Sequence, residues 1–188
     1  MEARNNSSRS DRLVPPFALS NPLRRFIENP YSVVKRFVRE GMVVADVGCG
    51  PGFYTIPIAE IVREKGKVYA VDANPKSIEV LKAKAVKRGL TNIIAKVSSA
   101  SDLSFIPDSS VDFVLSKDVL CCMRDHEGAI KEISRILKPK GLAYITARRS
   151  FFDDPFKVTE EEWKKLLSKF NVIHEKIGLF SYEAVVTK

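Results

Sequence analysis

The sequence predicts an α/β protein: a Rossmann-like, doubly wound, seven-stranded, mostly parallel sheet whose last strand runs antiparallel. Three observations carry that prediction. From residue 42 onward, short runs rich in Val and Ile alternate with amphipathic helical stretches, the pattern of a sheet with crossover helices. The first of these runs enters a turn of alternating glycines and then a helix, an arrangement that places backbone close to a ligand. The last two runs, 171–177 and 181–187, are separated only by Gly178-Leu179-Phe180, too short a link for a parallel crossover.

Residues 1–12 are polar and without periodicity, and are expected to be a disordered tail. Residues 13–41 read as a helical arm packing on the domain that follows. Prolines at 15, 16, 22 and 30 interrupt it, while Phe17, Leu19, Leu23, Phe26 and Ile27 are available to pack, and Val33, Val34, Phe37 and Val38 predict a helix over 31–39 before Gly41. The domain proper, 42–188, opens with a strand at 42–47, the glycine turn, and a helix through about Lys65 that tolerates Pro57 in its first turn.

A second strand covers 67–72, and Asn74 with Pro75 starts a helix that Gly89 ends. Strands follow at 92–97 and 111–116. Asp125 caps a helix carrying Ile130, Ile133 and Leu137, which Lys138-Pro139-Lys140-Gly141 is expected to break ahead of a fifth strand at 142–147. Thr159 and Glu162 form a capping box for a helix that buries Trp163, Leu166, Leu167 and Phe170, and the two final strands complete the set.

Composition narrows the class. A chain of 188 residues, 45% apolar and 29% charged, builds a full core without staples. Its three cysteines, Cys49, Cys121 and Cys122, form neither a disulfide framework nor a C-x-x-C pair, and no metal site is predicted. No apolar run approaches the roughly 20 residues of a membrane span, and the polar start lacks a secretion signal. A cytoplasmic protein with no membrane partner is the expectation. The net charge of +8 favours acidic partners without specifying one; residues 1–41 hold eight basic and four acidic groups, so no single tract dominates.

The chemistry concentrates in Asp46-Val47-Gly48-Cys49-Gly50-Pro51-Gly52. This departs from the dinucleotide fingerprint G-x-G-x-x-G, because the third glycine comes one position early and an aspartate stands two residues before the first. That carboxylate repels a pyrophosphate and welcomes a cation. Asp72 ends the second strand, 20 positions beyond Gly52, where an acidic side chain accepts hydrogen bonds from ribose hydroxyls.

With these motifs, and with SSASDLSFIPDSSVDFVLS and EISRILKPKGLAYIT in the matching order, residues 31–188 resemble the class I S-adenosylmethionine-dependent methyltransferases. The resemblance implies S-adenosylmethionine as cofactor. It puts Asp46, Gly48, Cys49 and Gly50 near the amino-acid half, Asp72 on the ribose, Ala73 beside the adenine, and Ser116 and Lys117 at the transferred methyl. The family often carries an aspartate for the adenine amino group; here that position is Ser99, followed by Ala100, with Asp102 as a substitute.

A sulfonium donor is already activated, so the protein chiefly orients the two reactants. Asp118 is the nearest candidate base, or else a helix cap. Cys121 and Cys122 read as buried small apolar side chains, or as ligands for a thiophilic acceptor. His126 and His174 read as structural or solvated. The substrate wall is expected in Phe17 with its neighbours and in residues 148–156. The fourth strand lacks the Asn/Asp-Pro-Pro-Tyr/Phe sequence usual in resembling enzymes that methylate base amines, so a small-molecule acceptor is expected. RNA or a translation protein is the alternative acceptor, and a non-catalytic cofactor-binding subunit the alternative of another class. The sequence leaves the oligomeric state open.

Overall fold

The computed structural model describes residues 11–19 and 28–188. Residues 1–10, in the expected tail, and Leu23, Phe26 and Ile27 lie outside the described residues. Within them the chain runs α1 (Pro16–Leu19), α2 (Pro30–Val34), β1 (Val43–Val47), α3 (Thr55–Val62), β2 (Lys67–Asp72), α4 (Pro75–Lys87), β3 (Ile93–Val97), β4 (Val111–Lys117), a 3-10 turn (Leu120–Cys122), α5 (His126–Ile136), β5 (Leu137–Arg148), α6 (Glu160–Leu167), β6 (Asn171–Ile177) and β7 (Ser181–Thr187).

The described residues form a seven-stranded sheet in the order β3-β2-β1-β4-β5-β7-β6. Pairings from β3 through β5 are parallel, and β7 runs antiparallel to both of its neighbours, β5 and β6. Side-chain alternation along the strands makes two apolar faces. Val47, Val71, Val114 and Ile145 pack with Ile130, Ile133 and Ile136 of α5 and Trp163 and Leu166 of α6. On the other face Val44, Phe113, Leu115 and Tyr144 meet Val34 of α2 and Ile58 and Val62 of α3, while Ala70 meets Ile78 and Leu81 of α4. The order reverses direction between β1 and β4, so a crevice opens at their carboxyl ends.

The caps follow the sequence. Asn74, Asp125 and Thr159 each accept a hydrogen bond from a first-turn amide, those of Lys76, Gly128 and Glu162. The capping box at Thr159 is only half made, because the Glu162 carboxylate accepts from the buried His126 ring at 2.7 Å instead of returning to its own helix. Asn29 caps α2, and regular helix there ends at Val34; Arg36 and Phe37 then donate to carbonyls three residues back, so the predicted helix to 39 tightens into turns. Similarly, α3 stops at Val62 and not near Lys65, because Arg63 turns into a positive-φ conformation (φ 56°).

The largest departure is at Lys138-Pro139-Lys140-Gly141, which breaks no helix. These residues form an irregular stretch at the start of β5, where Val111 pairs with Leu137 and Phe113 with Leu142, and Lys140 absorbs the excess length with φ 64°.

Arg135 fastens α5 to the β3–β4 connection. Its guanidinium donates to Glu132 at 2.7 Å and to the carbonyls of Leu103 and Ile106 at 2.8 and 2.9 Å. The guanidinium also holds the Glu132 carboxyl below its usual range. Arg135→Met is expected to cost about 2 kcal/mol, because a partly buried carboxylate and two carbonyls lose their donor. Denaturant unfolding checks this. The depressed Glu132 stabilises the fold above the ordinary carboxylate range and ceases to as pH falls through its own pKa, so the deficit should shrink on acidification.

Candidate functional site

A cavity of about 580 Å³ occupies the crevice, within the size range of small-molecule sites. Its walls come from the carboxyl ends of β1 to β5: Asp46 and the glycine turn, Asp72 and Ala73, Ser98 and Ala100, Lys117 to Val119 with Cys121 to Met123, and the loop from Arg148.

The glycine turn fits tightly against its surroundings. Gly48 and Gly50 have φ of 74° and 52°, conformations that side chains strain to reach. A Cβ on Gly48 would lie 2.3 Å from Val119 Cγ2. The Gly48 and Cys49 amides donate to the Val71 carbonyl at 2.7 and 2.9 Å, which ties the turn to the end of β2. Asp46 is almost wholly buried and accepts from the Thr55 hydroxyl at 2.6 Å. Burial, with Asp46 and Asp72 close by, pushes the Cys49 thiol up, so it stays neutral.

Asp72 accepts from the Gly50 amide at 2.8 Å and the Asn74 amide at 2.9 Å, so it braces the turn as well as facing the cavity. Burial raises its pKa despite these bonds. Asp46 and Asp72 suit a cationic donor bearing a ribose, and the Cβ-free turn leaves room for its backbone approach. The residues present therefore fit S-adenosylmethionine.

Of the residues singled out from the sequence, Asp46, Gly48, Cys49, Gly50, Asp72, Ala73, Ala100 and Lys117 line the cavity, whereas Ser99 and Ser116 do not. Ser116 lies on the sheet face opposite Leu115 and Lys117, fully buried, its hydroxyl without a hydrogen-bond partner. Asp118 and Val119 occupy the wall in its place. Asp102 does not line the cavity; its carboxylate accepts from the Ser104 amide.

The carboxylate beside Ser99 belongs to Asp11, which accepts a hydrogen bond from the Ser99 side chain; burial nevertheless raises its pKa. Residues 11 and 12, expected in the disordered tail, instead cross the cavity as a strap. The Arg12 amide donates to the Cys122 carbonyl at 2.6 Å, and its guanidinium donates to both Asp154 oxygens and stacks over Phe156. Asn74 donates to the Val14 carbonyl at the opposite wall. These tertiary partners order a segment whose own composition has no structural preference. No local signal in the sequence marks it.

On the acceptor side, Asp118 has φ 58°, strain at a cavity-lining position. Its carboxylate accepts from the Thr146 hydroxyl at 2.9 Å and lies 3.3 Å from Arg148 Nε, so it caps no helix. Cys121 and Cys122 are half-buried wall residues, a correction to the buried apolar reading. The 3-10 turn aims them at the cavity. Hydrogen bonding from Cys122 lowers the Cys121 thiol to about 7, and the same contact raises Cys122. Phe151 and Phe152 line the mouth, whereas Phe17 is exposed and away from the wall. Among the described residues no cluster of His, Cys, Asp and Glu could hold a metal ion.

The chain matches the Methyltransferase domain family over residues 38–179. A Demethylmenaquinone methyltransferase of Geobacillus stearothermophilus is 35% identical over 120 residues, 63% of this chain and 51% of the relative. A Ubiquinone/menaquinone biosynthesis C-methyltransferase of Shewanella sp. (strain ANA-3) is 29% identical over 111 residues, 59% of this chain and 44% of that one. The chain thus spans about half the length of the curated relatives it matches. The crystal structure of a SAM dependent methyltransferase from Aquifex aeolicus shares 27% identity, covers 93% of this chain and 98% of that chain, and superposes with a TM-score of 0.78.

Proposed function

The chain belongs to the methyltransferase-domain family, in its class I S-adenosylmethionine-dependent form, and from that premise we propose that it methylates a small, apolar, aromatic acceptor of the quinone-precursor type. The observation that carries the acceptor class is the wall beyond the glycine turn. Val119, Met123, Phe151 and Phe152 supply apolar surface, and Lys117, Asp118 and Arg148 the polar groups at the carboxyl ends of β4 and β5. The names of the relatives, one a methyltransferase of demethylmenaquinone and the other a C-methyltransferase of ubiquinone/menaquinone biosynthesis, support the same class. The free cysteines accord with a cytoplasmic location.

S-adenosylmethionine, when bound, supplies an electrophilic methyl on a sulfonium that leaves as a neutral thioether. Asp46 and Asp72 hold that donor through charge and hydrogen bonds. The strap and the Arg148–Asp154 loop exclude water, which orients the pair and strengthens local electrostatics. Asp118 takes the proton that the acceptor loses. Thr146 and Arg148 hold its carboxylate in position through their hydrogen bonds.

Incubation with methyl-labelled S-adenosylmethionine and a cell extract, separated into RNA, protein and organic-soluble metabolites, tests this. Label is expected in the organic fraction. Asp118→Asn is expected to lower kcat about 100-fold while leaving S-adenosylhomocysteine affinity unchanged. Label confined to RNA or protein refutes the acceptor class, and absence of any label refutes catalysis.

A further inference from the structure

Four large apolar side chains project into solvent on two loops at the cavity mouth: Phe151 (60% exposed), Phe152 (82%), Leu179 (66%) and Phe180 (70%). They act as one projection. The Phe151 and Phe180 rings meet edge to face at 6.1 Å. The Arg149 amide donates to the Phe180 carbonyl at 2.9 Å, and its guanidinium donates to the Gly178 carbonyl at 2.9 Å, which pins the β6–β7 turn to the loop after β5. Phe151 and Phe152 also face the cavity, so the exposed patch runs into the proposed acceptor slot.

The surround is basic. Arg12, Arg124, Arg148, Arg149 and Lys157 stand against Asp118, Asp153, Asp154 and Glu160; Arg12 pairs with Asp154, Arg148 with Asp118 and Arg149 with Glu160, which leaves Arg124 and Lys157 beside the lone Asp153 in a chain of net charge +8. Contiguous exposed apolar surface on a folded protein marks an interaction site. Aromatic side chains ringed by arginines match the interface of a bilayer bearing anionic headgroups, where the rings enter the acyl boundary and the cations meet phosphate.

We propose that this rim docks on an anionic lipid bilayer and that the acceptor is lipophilic, passing from the membrane through the Phe151–Phe152 mouth to Asp118. The docking deepens the function proposed above and rests on it for the acceptor. The sequence expectation of no membrane partner rested on the lack of a spanning segment, and surface docking requires none; no helix among the described residues is long and apolar enough to cross a membrane.

Co-sedimentation of the full chain with vesicles of phosphatidylcholine, alone or mixed with phosphatidylglycerol, tests the docking without any methyl transfer. Partition onto the anionic vesicles is expected to be at least about 10-fold higher, and to fall as salt rises. The double variant Leu179→Ser/Phe180→Ser, which leaves the cavity wall intact, is expected to lose about 10-fold in partition, in keeping with removal of two apolar anchors. Its heat of S-adenosylhomocysteine binding should be unchanged. Should that variant misfold, Phe180→Trp serves instead, with a blue shift of its fluorescence expected on addition of anionic vesicles.

Failure of the wild-type chain to partition overturns the docking, as does partition that survives loss of both apolar side chains. So does displacement by RNA with the same indifference to those substitutions, which would mark a nucleic-acid surface. Loss of S-adenosylhomocysteine heat with docking intact would count against the methyl-transfer reading alone.

Discussion

Asp72→Asn is expected to weaken S-adenosylhomocysteine binding about 100-fold, because two hydrogen bonds to a charged acceptor in a buried site are replaced by weaker, partly mismatched ones. The choice of asparagine matters. Alanine would also release the Gly50 and Asn74 amides that this carboxylate holds, and would confuse loss of the ligand with collapse of the turn. Asparagine keeps one acceptor oxygen for one of these two amides and turns its NH2 towards the other, a loss offset by its neutrality, which removes the burial penalty that raises the Asp72 pKa. The Tm of the empty protein should therefore move by less than about 4 °C.

The same shift has a sign in solution. Binding needs the carboxylate, so affinity falls as pH falls through a pKa that burial holds above the ordinary 3.8. Calorimetric titration should show wild-type affinity declining on acidification earlier than an exposed aspartate would allow. The asparagine variant should lack that phase. Unaltered affinity at neutral pH would remove Asp72 from the proposed ribose contact.

Gly48→Ala is expected to abolish measurable cofactor binding and to cost about 2 kcal/mol or more of stability. Two separate effects act there. The backbone sits at φ 74°, and the added methyl lies 2.3 Å from Val119 Cγ2, on a side chain too stiff to turn aside freely. Combining it with Val119→Ala removes the collision but not the backbone strain. The double variant should recover part of the stability in chemical unfolding and little of the binding. Full recovery of both would mean that steric contact alone selects glycine at this position.

The parts of this molecule that were legible in the sequence are those determined within one element or one turn. Asn74, Asp125 and Thr159 cap because side chain and amide are two or three residues apart. The glycine turn announces itself through spacing. Lys138–Gly141 was misread because Pro and Gly break a helix and bulge a strand alike; only the pairing of Val111 with Leu137 decides between them. Glu162 fits a capping box by spacing, yet His126, 36 residues away, takes its carboxylate. Ser116 is excluded from the wall by strand alternation, which shifts with the register of β4. Asp11 and Arg12 were invisible because everything that orders them lies more than 60 residues along the chain, at Ser99, Cys122 and Asp154. Local chemistry was readable, and partners chosen by the fold were not.

The strand order carries a consequence for biosynthesis. β6 is translated before β7 yet meets the sheet only through it, since β7 lies between β5 and β6 and bonds to both. While the ribosome is still adding residues 181–187, β6 has no sheet partner and β5 presents an unpaired edge. This flank of the protein therefore closes last, as β7 pairs with β6 across their short turn and with the waiting edge of β5. Until then β5 is open to pairing with another nascent chain.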